Sequence, residues 1–253
     1  DVYKRQVPWG DLFGQYKPCR TSLRVLTCNL HRQQADLDVL DSFVTETQPD
    51  IVALQDIARS RLPPSLTTRD WHTEQYGQLW IASRFPIRLE RRFRPDAFRV
   101  GPEAVDPVIR IGAAAGYAIE MESGTVHLVN LHLSSAHLPL EEFGHDLARG
   151  SELLKANSDR RRRESQMIRD GIKSLDGPVL LTGDFNTPRD SPIFRQSWGD
   201  YDDAFATAGW GFGASYAKHN TWLRIDHILY DRGWRCRECR FGPDVGSGHR
   251  PVF

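Results

Sequence analysis

The sequence has no long apolar run and no excess of either charge. None of its hydrophobic stretches reaches the roughly 18 residues that a membrane-spanning helix needs, so no membrane span is predicted. Lys plus Arg and Asp plus Glu number 33 each, and the pI is near 7.3. Proteins that hold nucleic acid by bulk charge usually have a pI above about 9. The balanced charge therefore disfavours binding of nucleic acid through the overall charge of the protein. It is still compatible with a local basic groove.

Cysteine is also scarce, with four residues in 253, which excludes a disulfide scaffold. Cys236 and Cys239 form one CxxC pair, whereas Cys19 and Cys28 lie nine positions apart and form no second pair. A structural zinc ion takes four ligands, so two further ligands at suitable spacing would be needed. We therefore interpret these cysteines as ordinary residues of strands.

The two ends of the chain bear on its domain organisation. The first six residues, DVYKRQ, resemble a translated transposase adaptor from library preparation, and such segments are left out of fold reasoning. We expect residues 1–22 to be a flexible segment that begins with this adaptor. We expect residues 23–253 to be one domain, truncated at its C-terminus because the chain stops inside a strand-like segment.

Short apolar runs alternate with helical segments along the chain, which predicts an α/β fold. LRVLTCNL (23–30) and DIVALQDI (50–57) are predicted to be buried strands. Between them, residues 36–48 place apolar side chains on one helical face, and Pro49 ends that helix. A strand, a helix and a strand in this order indicate a parallel crossover. Further strands are predicted over 78–87, 115–122, 125–133, 178–186, 224–230, 234–241 and 246–253, and helices over 142–175.

Six of the apolar runs end in Asn, Asp or His. One such residue is usually a turn former, a helix cap or a core histidine, but six on strands that can share one rim indicate a common site. Carboxylate and amide oxygens suit Mg²⁺ or Mn²⁺, and a histidine beside an aspartate is an oriented acid–base or phosphate-binding group. The set predicts metal-assisted attack of water on a phosphate ester. Its members are Asn29, Asp56, Asn130, His132, Asp184, Asn186, Asp226 and His249.

In the order LTCNL, ALQDI, VNLHL, LTGDFN, RIDHIL and GSGHRPV, these segments resemble the endonuclease/exonuclease/phosphatase superfamily. The resemblance covers most of the chain. It implies a four-layer αββα sandwich, in which two mixed β-sheets pack together with helices outside and the site lies at one rim. It also implies a nuclease-like, metal-dependent phosphodiesterase that uses Mg²⁺ or Mn²⁺, and a monomer is expected.

The resemblance implies a role for each catalytic residue. His132 would contact the scissile phosphate. Asp184 would align the attacking water, and Asn186 would hold that water or the phosphate. Asp226 would orient His249, which would act as a base or stabilise the transition state.

On the metal-binding side the chain departs from the family pattern. Asp56 stands where the family usually has a glutamate, so its carboxylate lies one methylene further back, and Asn29 would position the metal-binding carboxylate. Gly248 stands where the family usually has an aspartate that contacts metal or water. Because Mg²⁺ demands near-octahedral geometry, these two departures predict weaker metal binding.

Two other functions stay open beside the nuclease-like hydrolase. A member weakened by the two departures would bind phosphate-bearing ligands without turning them over. A lipid-headgroup or phosphoinositide phosphoesterase would need a lipid-facing apolar insertion, and no clear one is present. The expected partner is thus a phosphodiester, either nucleic acid or a small or lipid phosphoester.

The candidate substrate contacts are Arg84, Arg110 and the loop 134–146. The arginine run 160–163 is interpreted as a solvated helix face, with a phosphate patch as the alternative.

Overall fold

The computed structural model describes residues 22–32, 34–57, 61–93, 112–135, 146–218 and 221–253. The predicted N-terminal segment lies outside the described residues except for its last position. Arg110 and residues 136–145 of the candidate substrate loop also lie outside them. None of the described helices has the length and apolar character needed to cross a bilayer.

A four-stranded sheet with strand order β1-β2-β4-β3 begins the fold. Its strands are β1 (Val25–Asn29), β2 (Ile51–Gln55), β3 (His72–Tyr76) and β4 (Leu79–Ser83). β1 and β2 pair in parallel and are joined by helix α1 (Leu37–Thr47), which confirms the predicted strand–helix–strand unit. Asp36 caps α1 by accepting hydrogen bonds from the backbone N–H groups of Asp38 and Val39.

A six-stranded sheet with order β5-β6-β7-β8-β12-β9 forms the second half of the sandwich. Its strands are β5 (Ile87–Phe93), β6 (Ala113–Met121), β7 (Gly124–His132), β8 (Val179–Asp184), β9 (Asp202–Asp203) and β12 (Asp226–Tyr230). β7 and β8 are parallel while the other pairs are antiparallel, so the sheet is mixed. The remaining elements are helices α2 (Leu147–Ile172), α3 (Pro192–Trp198) and α4 (Ala204–Ala208), a short 3₁₀ helix (Pro64–Thr67), and the hairpin of β10 (Tyr216–Lys218) and β11 (Thr221–Leu223).

Three hydrophobic clusters hold these elements in four layers. Between the sheets, Ile81 of β4 and Leu128 of β7 belong to one buried cluster. The outer face of the first sheet packs on α1 through Phe43, and the outer face of the second sheet packs on α2 and α3 through Ile168 and Trp198. Strands buried on both faces read as continuous apolar runs, which is why they could be predicted. The predicted αββα sandwich is confirmed.

The C-terminal part of the chain contains less strand than predicted. Residues 234–241 and 246–253 form only isolated bridges, in which Val252 pairs with Thr27 and Phe241 and Tyr216 pairs with His249. Gly246 and Gly248 have φ values of +76° and +85°, which a β-strand does not accommodate. The two strand predictions are therefore wrong, and these residues form irregular backbone with bends and isolated bridges.

Candidate active site

The predicted site residues meet at one edge of the sandwich because of strand register. Parallel strands end together, so Asn29 of β1 lies opposite the end of β2, directly before Asp56. His132 of β7 is the register partner of Asp184 at the end of β8. Strand β12 runs antiparallel to β8, so its first residue, Asp226, also lies opposite Asp184.

Asp184 is the centre of the cluster, with a side chain that is almost fully buried. Its Oδ2 accepts a hydrogen bond from Asn29 Nδ2 at 2.9 Å, and its Oδ1 accepts one from the backbone N–H of Asn186 at 2.8 Å. The Nε2 atoms of His132 and His249 lie 3.6 and 3.9 Å from the same Oδ2. One carboxylate thus joins four of the predicted site residues.

His249 and Asp226 form a buried pair beside this carboxylate. His249 Nδ1 lies 2.9 and 3.1 Å from the two carboxylate oxygens of Asp226, which fixes the orientation of the ring. Ser215 Oγ accepts a hydrogen bond from the backbone N–H of Asp226 and holds that strand end in place. Burial alone would lower the pKa of His249, but Asp226, Asp184 and Asp56 together raise it to about 9. The imidazole is therefore protonated at neutral pH.

The charge of the cluster fits a divalent cation. Asp184, Asp226 and His249 are buried, and one polar side-chain atom of each lies within 4.8 Å of the others. Because His249 is protonated at neutral pH, the oxygens available to a cation are those of the carboxylates. Burial and the neighbouring Asp226 raise the pKa of Asp184, so a positive charge placed here would stabilise its ionised form. Among the described residues Asp56 is outside this compact group, although its charge acts on His249.

Asn29 makes the contacts of a positioning residue. Its Nδ2 donates to Asp184, and its Oδ1 accepts a hydrogen bond from the backbone N–H of His31 at 2.9 Å. Both ends of the amide are thus engaged by the protein. The carboxylate that Asn29 touches is that of Asp184, which lies 155 positions away in the sequence.

The backbone at the site adopts conformations that most residues avoid. Gly183 has a φ of +133°, and a Cβ there would lie 1.9 Å from the carbonyl oxygen of Leu131 on the adjacent strand. Asp56 and Asn186 have φ values of +51° and +47°. Non-glycine residues in this left-handed region concentrate at functional sites, because the surrounding structure must hold them there. The glycine of the GDFN segment is therefore required by the close approach of two strands.

Asn130 belongs to the structural support beneath the site. Its Oδ1 accepts a hydrogen bond from Gln55 Nε2 at 2.8 Å, and its Nδ2 donates to the carbonyl oxygens of Leu54 and Trp80. Because Asn130 lies in the six-stranded sheet and its partners in the four-stranded sheet, these bonds tie the two sheets together. Sequence reasoning grouped Asn130 with the site residues because the same strand carries His132.

The arginine run 160–163 is only partly a solvated helix face. Arg160 and Arg161 are buried, while Arg162 is exposed and pairs with Asp159 at 2.7 Å. Arg161 Nη1 donates to the backbone carbonyl of Asn186 at 2.6 Å, so this side chain supports the loop that follows Asp184. The interpretation of the whole run as solvated was wrong, because α2 turns its Arg160–Arg161 edge toward the sandwich.

Arg84 does not contact the site. It follows Ser83, which pairs with Ile51 at the start of β2, and Asp56 lies beyond the other end of that strand. Its guanidinium lies 3.8 Å above the ring of Trp71 and contacts Asp70. The proposal that Arg84 faces the substrate is therefore wrong, because its side chain contacts Trp71 and Asp70 instead.

The comparisons with known proteins agree with this architecture. A sequence profile described as the Endonuclease/Exonuclease/phosphatase family matches residues 26–248. No curated protein matches the chain.

Three solved structures share the fold at low sequence identity. An endonuclease/exonuclease/phosphatase from Bacteroides vulgatus is 17% identical with a TM-score of 0.64, over 92% of this chain and 97% of that one. The 3′ phosphatase NExo from Neisseria, bound to product DNA hairpin, is 19% identical with a TM-score of 0.59, over 91% and 98%. Truncated Caenorhabditis elegans TDP2 is 16% identical with a TM-score of 0.62, over 91% and 95%.

Proposed function

The chain belongs to the endonuclease/exonuclease/phosphatase family, and we propose that it is a divalent-metal-dependent phosphodiester hydrolase. Membership gives the broad reaction class, because family members are hydrolases of phosphate esters. The metal and the phosphodiester substrate are the proposal. It rests on the convergence of Asp184, Asp226 and His249, which come from distant parts of the sequence, in one buried cluster.

Asp56 is the carboxylate that would hold Mg²⁺ or Mn²⁺, with Asn29 beside it as the positioning amide. Asp226 is less suited, since both of its oxygens already face His249 Nδ1 at 2.9 and 3.1 Å. Each oxygen of Asp184 accepts one hydrogen bond and keeps a further lone pair. A cation bound here would polarise the phosphate ester and lower the pKa of a water molecule.

Asp184 is suited to accept the proton of the attacking water. Burial and Asp226 raise its pKa, which favours uptake of a proton. The backbone N–H of Asn186 and the amide of Asn29 fix its two oxygens, so its remaining lone pairs have defined directions. Asn186 Nδ2 donates to the carbonyl oxygen of Leu133 at 2.8 Å, which leaves the side-chain oxygen of Asn186 to accept a bond from water.

His249 is suited to stabilise charge on the phosphate. With a pKa of about 9 it is an imidazolium at neutral pH, and its Nδ1–H is held by Asp226. Its Nε2–H is then the donor that can contact a phosphate oxygen as negative charge develops there. His132 brings a second ring nitrogen to the same carboxylate and is the other candidate phosphate contact.

The first substrates to test are nucleic acids. The Neisseria structure holds a product DNA hairpin on the same fold, which favours a nucleic acid as substrate here. The near-zero net charge of the chain means that binding would depend on local cations rather than on the overall field.

The test is hydrolysis of bis-p-nitrophenyl phosphate and of plasmid DNA in Mg²⁺, in Mn²⁺ and in EDTA. We expect turnover with a metal ion and none in EDTA. Asp184→Asn should lower kcat by about 10²- to 10⁴-fold, the usual contribution of a general base. His249→Gln should also lower kcat, because it removes the imidazolium proposed to contact the phosphate. His72→Gln, which changes an exposed histidine on β3, is its matched control and should leave kcat unchanged. A folded protein that turns over neither substrate with either metal would contradict the proposal and favour a family member that only binds phosphate.

A further inference from the structure

A lysine lies against Gly248, the position at which the family pattern has an aspartate. A Cβ added to Gly248 would lie 3.3 Å from Lys218 Cδ and 3.7 Å from Lys218 Cβ. The aliphatic stem of Lys218 thus fills the space beside a residue that has no side chain. A carboxylate is missing at this position, and the stem of a lysine lies against it instead.

The hairpin β10–β11 holds Lys218 in place. The backbone N–H of Ala217 donates to the carbonyl oxygen of Gly248 at 2.9 Å, and Tyr216 forms a β-bridge with His249. The ring of Tyr216 packs edge-on against the imidazole of His249 with 5.0 Å between centroids. Alternate residues of a strand share a face, so Lys218 lies on the same face of β10 as Tyr216. Lys218 therefore borders the catalytic histidine.

The charge of Lys218 is not neutralised by a carboxylate in the part of the chain that the structure describes. Its Nζ contacts the neutral side-chain oxygen of Gln34 at 3.5 Å, the upper limit for a hydrogen bond. The ring of His31, which belongs to the same turn as Gln34, lies 6.4 Å from that of His249. The residue as a whole is half-buried through its stem, while the contact of its ammonium with Gln34 is exposed. An ammonium group with no carboxylate partner can form a charge-assisted hydrogen bond with an anionic ligand.

We propose that Lys218 binds a phosphate oxygen of the substrate beside His249. This inference rests on the proposed function and assigns the Gly248 side of the site to phosphate recognition by a protein cation. The absence of a carboxylate at position 248 and the presence of the ammonium act in the same direction, because both make this edge more attractive to an anion. The glycine is then part of the arrangement, since it leaves room for the lysine stem.

The kinetic test replaces Lys218 with methionine, which keeps an unbranched stem of similar length and removes the charge. Lys218→Met should lower kcat/KM for bis-p-nitrophenyl phosphate by about 10- to 100-fold, mainly through KM, as expected for one charge-assisted hydrogen bond. Lys218→Arg should restore most of the loss. Lys173→Met is the matched control, because Lys173 is an exposed lysine paired with Asp170 just after α2. Kinetics of Lys218→Met that match those of Lys173→Met would overturn the inference.

A binding measurement separates this inference from the proposed function. The probe is inorganic phosphate, titrated in EDTA and followed by ³¹P NMR, so neither turnover nor metal is involved. We expect the unaltered protein and Lys173→Met to bind phosphate and Lys218→Met to bind it more weakly by about tenfold or more. Such a result would support a phosphate contact from Lys218 even if no ester were hydrolysed. Equal binding by all three proteins, or no binding by the unaltered protein, would contradict the inference while leaving hydrolysis to its own assay.

Restoring the family's aspartate gives an independent test with a close control. Gly248→Asp would place a carboxylate against the Lys218 stem, where it would pair with the ammonium and compete with phosphate. Gly248→Asn has nearly the same size and also tolerates the φ of +85°, but it carries no charge. We expect phosphate binding in EDTA to be weaker for Gly248→Asp than for Gly248→Asn. Equal binding by the two variants would count against a phosphate contact from Lys218.

Discussion

His249 lies near three carboxylates, and its charge state decides how it can act on a phosphate. Burial opposes the imidazolium, whereas Asp226, Asp184 and Asp56 favour it, and the balance puts the pKa at about 9. Near neutral pH this residue is therefore a donor of hydrogen bonds rather than a base. Asp184 is instead assigned the role of proton acceptor, because burial and Asp226 raise its pKa and favour proton uptake.

Asp226→Asn tests this assignment in the metal-free protein. The substitution removes the charge and the hydrogen bond that raise the pKa of His249 most, while the ring stays buried, so this pKa should fall clearly below about 9. The measurement is an NMR titration of the imidazole signals. Adding Mg²⁺ to the unaltered protein should also lower this pKa, because a nearby cation opposes protonation. A His249 titration that does not change in the variant would contradict the assignment.

Single residues differ in how far the sequence could predict them. Asp184 and Asn186 could be predicted because they follow a buried apolar run, and His249 because it belongs to the recognisable segment GSGHRPV. Lys218 and Arg161 could not, since nothing in their local sequence shows which strand end they meet. Lys218 reaches the site through a three-residue strand, and Arg161 through the face that α2 turns inward.

At the scale of elements, the pairing of β7 with β8 sets the site geometry. Gly183 pairs with Leu131, and the next pair in register is His132 with Asp184. Any side chain at position 183 would enter the backbone of β7, since its Cβ would lie 1.9 Å from the carbonyl oxygen of Leu131. Asp184 and His132 therefore keep their separation only while position 183 is glycine.

Gly183→Ala should destabilise the protein by more than about 3 kcal/mol, because the two strands must move apart. The measurement is chemical denaturation. Gly77→Ala is the matched control, since Gly77 also has a positive φ, +58°, but nothing lies within 4 Å of an added Cβ. The control should lower the free energy of unfolding by only about 1 kcal/mol, because alanine at a positive φ is strained. Similar losses for both variants would mean that the close approach is not the cause.

The junction of β9, β12 and α4 depends on a second buried aspartate–histidine pair, and this makes stability depend on pH. His227 Nδ1 lies 2.8 Å from Asp203 Oδ2, and Asp203 also caps α4. Burial would raise the pKa of Asp203, but the hydrogen bond and charge of His227 lower it to about 2. A lowered pKa stabilises the fold above the unfolded value of 3.8, and that contribution is lost as the pH falls through 2.

Asp203→Asn keeps the shape and the helix cap but removes the charge. At pH 7 it should lower the free energy of unfolding by about 2 kcal/mol, and the difference from the unaltered protein should shrink as the pH falls from about 4 to about 2. Denaturation at a series of pH values measures this. A difference that is constant over that range would show that charge is not the source of the stability.

The elements that sequence reasoning found are those buried on both faces. β1, β2, β7, β8 and β12 are almost wholly buried, so their apolar runs are continuous. β3 and the hairpin β10–β11 are half-exposed and carry no such run, and the C-terminal segment that looked like two strands contains turns at Gly246 and Gly248. Burial, rather than the intrinsic strand preference of the residues, determined which strands could be predicted from the sequence.

At the scale of the whole molecule, the sandwich gathers negative charge at one rim. Asp56, Asp184 and Asp226 arrive from both sheets, and Asp226 raises the pKa of Asp184, so these two buried carboxylates repel each other. In the proposed metal site, a bound cation would offset that repulsion. Metal binding should therefore stabilise the entire fold, with a rise in Tm that follows the metal concentration. This linkage offers a readout of the metal site that does not depend on turnover.

Asp56→Glu uses that readout to test the departure from the family pattern. The added methylene extends the carboxylate into the position that the family uses, so Mg²⁺ should raise the Tm of the variant more than that of the unaltered protein. Position 56 has a φ of +51°, a region that suits aspartate better than glutamate, so the metal-free variant should be less stable by about 1 kcal/mol. Asp56→Asn, which keeps the shape without the charge, should lose most of the metal-induced shift. If Asp56→Glu and the unaltered protein show the same shift, the carboxylate at position 56 does not hold the metal.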